Sequence, residues 1–515
     1  MLWLWISLGV LFLVLASIFL WDVSQKNHAI LHNFPLIGHF RYILETIGPE
    51  LRQYIVTDND EERPFSRDQR TWVYASSKNQ NNYFGFGTDN DLEQNSNYLI
   101  LKHSAFPLHH LSHPGEPGCA PDYSLPCAKV MGAHRGRKKA FRPQSFVYVS
   151  GMSFGSLGAA AVEALNRGCE IAGALHNTGE GGLSRHHQHG ADLILQIGTA
   201  YFGVRDPDGN FSLEKLIQTV DSNPQIRAIE IKLSQGGKPG LGGLLPSEKV
   251  TPEIAEARGI EVGVTCASPP GHSAFHDADS LLDFIETIAD ATGLPVGIKS
   301  AIGEIEFWSE LARLTATTDR APDFLVIDGG EGGTGAGPLA YTDHVALPFK
   351  IGFTRVYREF LRHDLQDKIV FVGSGKLGFP IEALVASALG CDLIAVAREA
   401  MLAIGCIQAQ RCHTGHCPAG VATHHPWLMA GLDPTVKSHR LANYLVTLRK
   451  EILKLCHSCG VEHPHLVTPD HFEILDDRFG SASIEAIFGY EQAIPRPSDS
   501  ERKAIAQLMQ PQASH

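Results

Sequence analysis

The densest chemical signal in the chain is Cys406-x5-Cys412-x4-Cys417, followed at once by Pro418. Thiolates are soft ligands, and three of them ahead of a proline suit an iron–sulfur cluster better than zinc, which usually takes four ligands in pairs. A second signal is cationic: Lys232-Leu-Ser-Gln235-Gly-Gly-Lys238 carries two lysines and an amide and runs on through glycines to Pro246. Solvated surface lysines are the bland reading. Confined in a glycine-rich loop over a pocket, the same lysines would attract a small dianion such as a dicarboxylate or a phosphate. Lys299, closing the run VGIKS, is another well-placed cation. It could sit against negative charge gathering on a reduced cofactor ring.

Glycine supplies the third signal. Gly151-Met152-Ser153-Phe154-Gly155-Ser156, Asn177-Thr178-Gly179-Glu180-Gly181-Gly182, the stretch from Asp328 through Gly329 and Gly330 to Ala336, and Gly373-Ser374-Gly375-Lys376 each follow an apolar run. Glycines let backbone N–H groups approach a phosphate or a flat ring. One such loop is an ordinary turn; four on one face are harder to dismiss. The stretch after Asp328 is a poor dinucleotide fingerprint, because its glycines do not open an apolar helix.

These loops need a scaffold that gathers them. Eight short β-rich runs, each ending in a glycine-rich or polar loop, are expected as strands: Ser145–Ser150, Ile171–Leu175, Leu193–Ile197, Ile226–Leu233, Pro295–Ser300, Phe324–Asp328, Ile369–Gly373 and Leu393–Ala397. Strands alternating with helices imply parallel pairing, and eight units over roughly 250 residues match a (β/α)8 TIM barrel, an α/β fold whose active site lies at the strands' C-terminal face. A doubly wound sheet is the alternative. The expected organisation is a membrane segment at 1–21, a polar wrapping layer at 22–142, the barrel at 143–442 and a C-terminal helix and tail at 443–515. Tyr74–Asp89 and Pro107–Cys127 read as loops.

With 43 Lys+Arg against 56 Asp+Glu the net charge is −13, which excludes a nucleic-acid binder working by bulk charge. Met1–Trp21 carries no charged side chain, and roughly 20 such residues cross a bilayer as one helix. A cleaved signal peptide would want a basic start and a small-x-small site, and neither is present. A retained single-pass anchor in the cell membrane is therefore expected. Lys26, Arg41 and Arg52 follow the run, which places the body in the cytoplasm. Ten cysteines in 515 residues are too few for a disulfide scaffold, and Cys119, Cys127, Cys169, Cys266 and Cys391 are scattered. Cys456-His-Ser-Cys459 is half a ligand set, and Arg185-His186-His187-Gln188-His189 resembles a metal tract but reads more readily as solvated or phosphate-side histidines.

Taken together, MSFGS at Met152, NTGEGG at Asn177, EIKLSQGGKPGLGGLLP at Glu230, SPPGH at Ser268, DGGEGGTGAGP at Asp328 and GCIQAQRCHTGHCPAGVATHHP at Gly405 resemble the synthase domain of the glutamate synthase family, from about Ser145 to Asn443. A short synthase body behind a membrane helix is similar to the glutamate synthase large subunit-like proteins. The resemblance implies a flavoenzyme of nitrogen metabolism that reductively aminates 2-oxoglutarate, reducing a 2-imino acid with FMN. It places Met152, Ser153, Gln196, Lys299, Asp328, Gly329 and Gly330 at or beside FMN. Gly373, Gly375, Ala397 and Arg398 fall at the same cofactor, although the family commonly has a small residue where Arg398 stands. It gives Gln235, Lys238, Glu180 and Arg258 to the 2-oxo acid, with Lys232 close by, Glu180 and Lys299 serving in catalysis, and Cys406, Cys412 and Cys417 to a 3Fe–4S cluster.

Full-length family members begin with a glutaminase cysteine. Here Met1 and an apolar helix stand at the start, so a glutaminase domain is expected to be absent, and ammonia or an amine would be the nitrogen source. Electrons would come from an external donor, ferredoxin or a reductase subunit. Other readings are another FMN/Fe–S amine or 2-oxo acid oxidoreductase, amine transfer onto glutamate, and a non-catalytic membrane-tethered redox carrier.

Overall fold

The computed structural model describes residues 2–26, 28–93, 95–108, 123–490 and 497–510. It divides into two compact units, Met1–Thr71 and Trp72–His515. The first holds the helix Leu2–Ser24, which is long and apolar enough to cross a membrane and whose apolar window buries nothing inside the protein. An all-round apolar helix has no polar face to turn to water. Within the same unit the helix Gly38–Leu51 follows.

The second unit is built on eight parallel strands closed into a barrel: Val147–Val149 (β1), His176–Asn177 (β2), Leu193–Ile197 (β3), Ile226–Lys232 (β4), Val296–Ala301 (β5), Phe324–Asp328 (β6), Val370–Ser374 (β7) and Leu393–Val396 (β8). Their order around the ring is their order in the chain, with β8 pairing back onto β1. This is the expected (β/α)8 TIM barrel. The third and sixth strands match their expected bounds, and five others differ by a residue or two. The second does not: Ile171 and Ala172 close the helix Ala159–Ala172 (α1), Gly173 stops it with φ 63°, and β2 starts only at His176. An apolar Ile171 in the last turn of a helix looks like the start of a strand when only composition is read.

The lower barrel is filled by Tyr148, Ile194, Ala228, Phe324, Val326, Val370, Val372, Leu393 and Ala395. Cys127, Met131 and Phe141 join this cluster from the segment leading into β1, where Met131 pairs antiparallel with Phe141. Because that segment enters β1 at its N-terminal end, it plugs the bottom of the barrel. Ion pairs fasten it to the starts of two strands: Lys129 to Asp392 at 2.8 Å before β8, and Arg137 to Asp323 at 3.0 Å before β6. The opposite end is left open for loops.

Two further expectations are corrected. The tract Tyr74–Asp89 is helical as far as Ser77, the end of the helix Arg67–Ser77, where Trp72 packs on Phe379 and Tyr444. The C-terminal helix, expected from about Asn443, begins at Pro434 and runs to Ser458 (α2), capped by Asp433, which accepts from the Thr435 N–H at 2.9 Å. Of the tract Pro107–Cys127, residues 109–122, with Cys119, lie outside the described residues. Beyond α2 the chain forms an antiparallel sheet in which Phe472–Leu475 pairs with both Tyr98–Leu101 and Ser481–Ser483.

Helix α2 packs along α1. Buried Arg449 donates to the Ala172 carbonyl at 2.7 Å, satisfying an orphan acceptor at the end of α1. At Gly168 the helices meet so closely that a Cβ would lie 2.7 Å from Leu441 Cβ and 2.8 Å from the Ser438 carbonyl oxygen. Alanine there gains about 1 kcal/mol of helix propensity, but forcing the backbones apart costs about 1–3 kcal/mol. Gly168→Ala is therefore expected to lower the denaturation midpoint; a raised midpoint would show that the helices can separate freely.

Candidate active site

The floor of the barrel mouth is polar. Gln196 of β3 and Glu230 of β4 stand in register, as do Lys232 of β4 and Lys299 of β5. Glu230 Oε1 accepts from Gln196 Nε2 at 2.5 Å and from Asn177 Nδ2 at 3.0 Å, while Oε2 is buried without a hydrogen-bond partner. Burial pushes this carboxyl up, against the pull of Lys299, Gln196 and Asn177. Lys299 Nζ lies 3.2 Å from Ser150 Oγ and 3.7 Å from Asp328 Oδ2, so residues ending β1 and β6 hold it from two sides. Gly151 leaves room above: a Cβ there would sit 2.7 Å from both Asn177 Oδ1 and Gln196 Nε2.

Around this floor the loops interlock at glycines. A Cβ on Gly236 would lie 1.9 Å from the Gly329 carbonyl oxygen, and Asp328 Oδ2 accepts the Gly236 N–H at 2.9 Å. Gly179, at φ 69°, packs against the Ser153 backbone, and Gly375, at φ 124°, lies against Gly329. Gly330 donates to the Leu347 carbonyl, and Arg398 lies along Gly333 and donates to the Glu331 carbonyl. Gly373 differs: the space a side chain would take is filled by Leu377, Cys391 and Phe349, so this glycine serves packing behind the strand. Ala397 is the residue ahead of the helix Arg398–Ile404.

One side of the mouth is strongly cationic. Lys232 Nζ lies 2.9 Å from Glu180 Oε1 and donates to Gln235 Oε1 at 2.6 Å. Glu180 is wedged between Gly198 and Gly243. Burial alone would raise its carboxyl, but Lys232, Lys238 and Arg258 together hold it below its ordinary value. Lys238 is buried, and that burial depresses its ammonium despite Glu180. Arg258 ends the helix Pro252–Arg258; its guanidinium lies 5.1 Å over Phe202, one nitrogen is 3.4 Å from both Ser153 Oγ and the Phe154 carbonyl, and Nε is buried without a partner. Met152 and Ser153 thus lie between the floor and the arginine.

The three cysteines share the loop between Ile404 and α2. Burial, with added repulsion from Cys412 and Cys417, pushes the Cys406 thiol up to about 12. Lys249, itself buried, donates to the Cys412 carbonyl at 2.7 Å. His424 contacts the Gly155 carbonyl at 2.9 Å, which places this loop beside Met152 and Ser153. Three soft thiols in one loop, with the buried Lys249 beside Cys412, are a donor set of the kind an iron–sulfur cluster takes. The residues likewise fit a flavin: a glycine-lined mouth with an unpartnered Glu230 oxygen and buried donors asks for a flat polar ring.

Ser150, Asn177 and Glu230 were not among the residues singled out from the sequence. Glu230 carried a readable signal, a carboxylate two residues before Lys232 in the run IRAIEIK, hence on the same face. Ser150 carried none, since its role depends on a partner from the far side of the barrel. Cys456 and Cys459 are buried at the end of α2, with Cys459 Sγ 3.8 Å from the Lys102 carbonyl.

Comparison with known proteins agrees with this geometry. The conserved region in glutamate synthase matches residues 127–462. The glutamate synthase large subunit-like protein YerD of Bacillus subtilis (strain 168) is 38% identical over 483 residues, 88% of this chain and 91% of that protein. Archaeal glutamate synthase (NADPH) of Methanocaldococcus jannaschii is 34% identical over 316 residues, 61% of this chain and 59% of that one. The glutamate synthase (NADPH) large chain of Bacillus subtilis is 31% identical over 321 residues, 20% of its length. On the extent of the matched region and the likeness to YerD, the chain belongs to the glutamate synthase family.

Proposed function

We propose that the barrel mouth reductively aminates 2-oxoglutarate, through the 2-imino acid formed with ammonia or an amine. The observation that carries this is the convergence of Lys232, Lys238 and Arg258 on the single carboxylate of Glu180. Three cations against one carboxylate leave two positive charges unbalanced, the complement of a dicarboxylate dianion. Lys238 and Arg258 would neutralise the substrate carboxylates, and the unpartnered Arg258 Nε is a donor still to be used. Gln235, held by Lys232, would orient the oxo group. Glu180 would accept a hydrogen bond from the imine N–H.

FMN, held by the residues of the floor and glycine loops, would supply a hydride when bound, and a 3Fe–4S cluster on Cys406, Cys412 and Cys417 would pass in electrons one at a time. Lys299 would present a fixed positive charge to that ring. Two electrons and two protons convert one 2-oxo acid and one ammonia to glutamate and water, so ferredoxin or a reductase subunit must supply electrons from outside. The helix Leu2–Ser24 would anchor the body at the cytoplasmic face of the cell membrane, supported by the absence of charge through Trp21 and by Lys26, Arg41 and Arg52 beyond it.

Anaerobic full-length protein, reduced and mixed with 2-oxoglutarate and ammonium, is expected to reoxidise its flavin and release one glutamate per flavin. A reduced flavin that neither reagent reoxidises would overturn the reading. Arg258→Ala leaves substrate charge unpaired and is expected to cost about 2–5 kcal/mol of 2-oxoglutarate binding, a loss of at least about 30-fold in affinity; unchanged affinity would remove Arg258 from the substrate site.

Lys232→Met tests the pair with Glu180. A carboxyl depressed below its ordinary 4.5 contributes stability that is present above that pH and is lost as pH falls through the folded value. The variant is expected to lose up to about 3 kcal/mol at neutral pH, since both partners keep some exposure. That deficit should shrink as Glu180 protonates in acid. A deficit independent of pH would mean that the loss is packing alone. For the anchor, protease added to sealed inside-out vesicles should degrade the body, and protection there would place it on the other side.

A further inference from the structure

The histidine run beside the Glu180 loop forms a site of its own. Arg185–His187 is one 3-10 turn, capped by Ser184, whose hydroxyl meets His187 Nδ1 at 2.9 Å. The turn sends His187 into the interior, its ring 5.4 Å from that of His176. His186 and His189 instead meet Glu163 of α1, and the ligand atoms of these three residues all lie within 4.8 Å of one another. His186 lies within the turn and His189 two residues beyond its end, where the His189 N–H donates to Asn166 Oδ1 of α1 at 2.9 Å and so keeps its ring beside α1.

The contacts leave ligand capacity open. Glu163 gives Oε1 to Arg167 at 2.6 Å, while Oε2 lies 3.8 Å from His189 Nε2, too far for a hydrogen bond. Two ligands each about 2.0–2.2 Å from a tetrahedral ion stand about 3.3–3.6 Å apart, so small side-chain adjustments would close the gap around a metal. Glu253, on the helix that ends at Arg258, has Oε1 2.7 Å from His186 Nε2 and receives Arg185 at the same oxygen. A carboxylate behind a ligating histidine fixes its ring and raises its basicity. Arg167 and Arg185 balance the two carboxylates, and both reach solvent, so neither is obliged to stay when a cation enters.

We propose that Glu163, His186 and His189 bind a divalent transition-metal ion, zinc in the first instance, with Glu253 supporting His186. Two imidazoles and a carboxylate are a borderline-soft set that suits zinc over magnesium or calcium. The ion ties α1 to the loop that carries Glu180 and, through Glu253, to the helix that ends in Arg258. It holds two elements of the barrel mouth from behind without touching substrate, and it is separate from the cysteine loop.

The test uses the full-length protein with its own cofactors, dialysed free of loosely held metal and titrated with zinc alone. Calorimetry is expected to show one zinc per chain, and zinc-edge X-ray absorption a shell of nitrogen and oxygen at about 2.0–2.1 Å. His189→Ala and Glu163→Gln should each weaken binding at least tenfold, and Cys456→Ser should not. His189 and Glu163 are only half-buried, and matching melts of wild type and variants in zinc-free buffer would show that both variants fold. Sulfur scattering at about 2.3 Å, absence of a bound equivalent, or equal affinity in the folded variants would each overturn the proposal.

Discussion

Lys232 and Lys299 stand in register on neighbouring strands, which holds two buried ammonium groups side by side at the mouth of the barrel. Like charges so placed repel, and each needs partners within the protein. The surrounding acids are arranged accordingly. Glu180 and Gln235 take Lys232, Ser150 and Asp328 take Lys299, and Glu230 lies below with one oxygen still open. These partners come from β1, β4, β6 and the loops after β2 and β4, so the lysines can be tolerated only once the ring has closed.

The glycines answer a related constraint. Loops that gather over one small floor must cross each other within backbone contact. Gly236 against Gly329 and Gly179 against Ser153 are two such crossings, and no side chain fits at either. The Gly236 N–H also binds Asp328, which in turn faces Lys299, so close backbone approach and charge placement are parts of one arrangement. Stability comes from the other end, where the segment from Cys127 to Phe141 fills the barrel floor and α2 clamps α1. Separating the stable end from the functional end lets the loops keep orphaned donors such as Arg258 Nε without threatening the core.

The cysteine loop and the histidine turn flank this mouth on different elements. One reaches it through His424 and Gly155, the other through Glu253 and the helix of Arg258. Both join chemically distinctive residues to elements that carry candidate substrate or cofactor contacts.

Much of this was legible in the chain. Strands buried on both faces, such as Phe324–Asp328 and Leu393–Val396, are continuous apolar runs that end in glycine or polar residues, and that pattern is local. The thiol triplet, the lysines around Gln235 and the glycine loops stand out by spacing alone. The shift of β2 was not legible, because Ile171 and Ala172 are apolar whether they finish a helix or begin a strand, and only Gly173 and the packing of α1 decide. Nor was the convergence of Arg258 with Glu180, the burial of Glu230, or the meeting of His186 and His189 with Glu163. Sequence periodicity records which way a side chain points from its own helix or strand. What it then meets across the barrel depends on ring closure and loop crossing, and these decide which charges lose water and find each other.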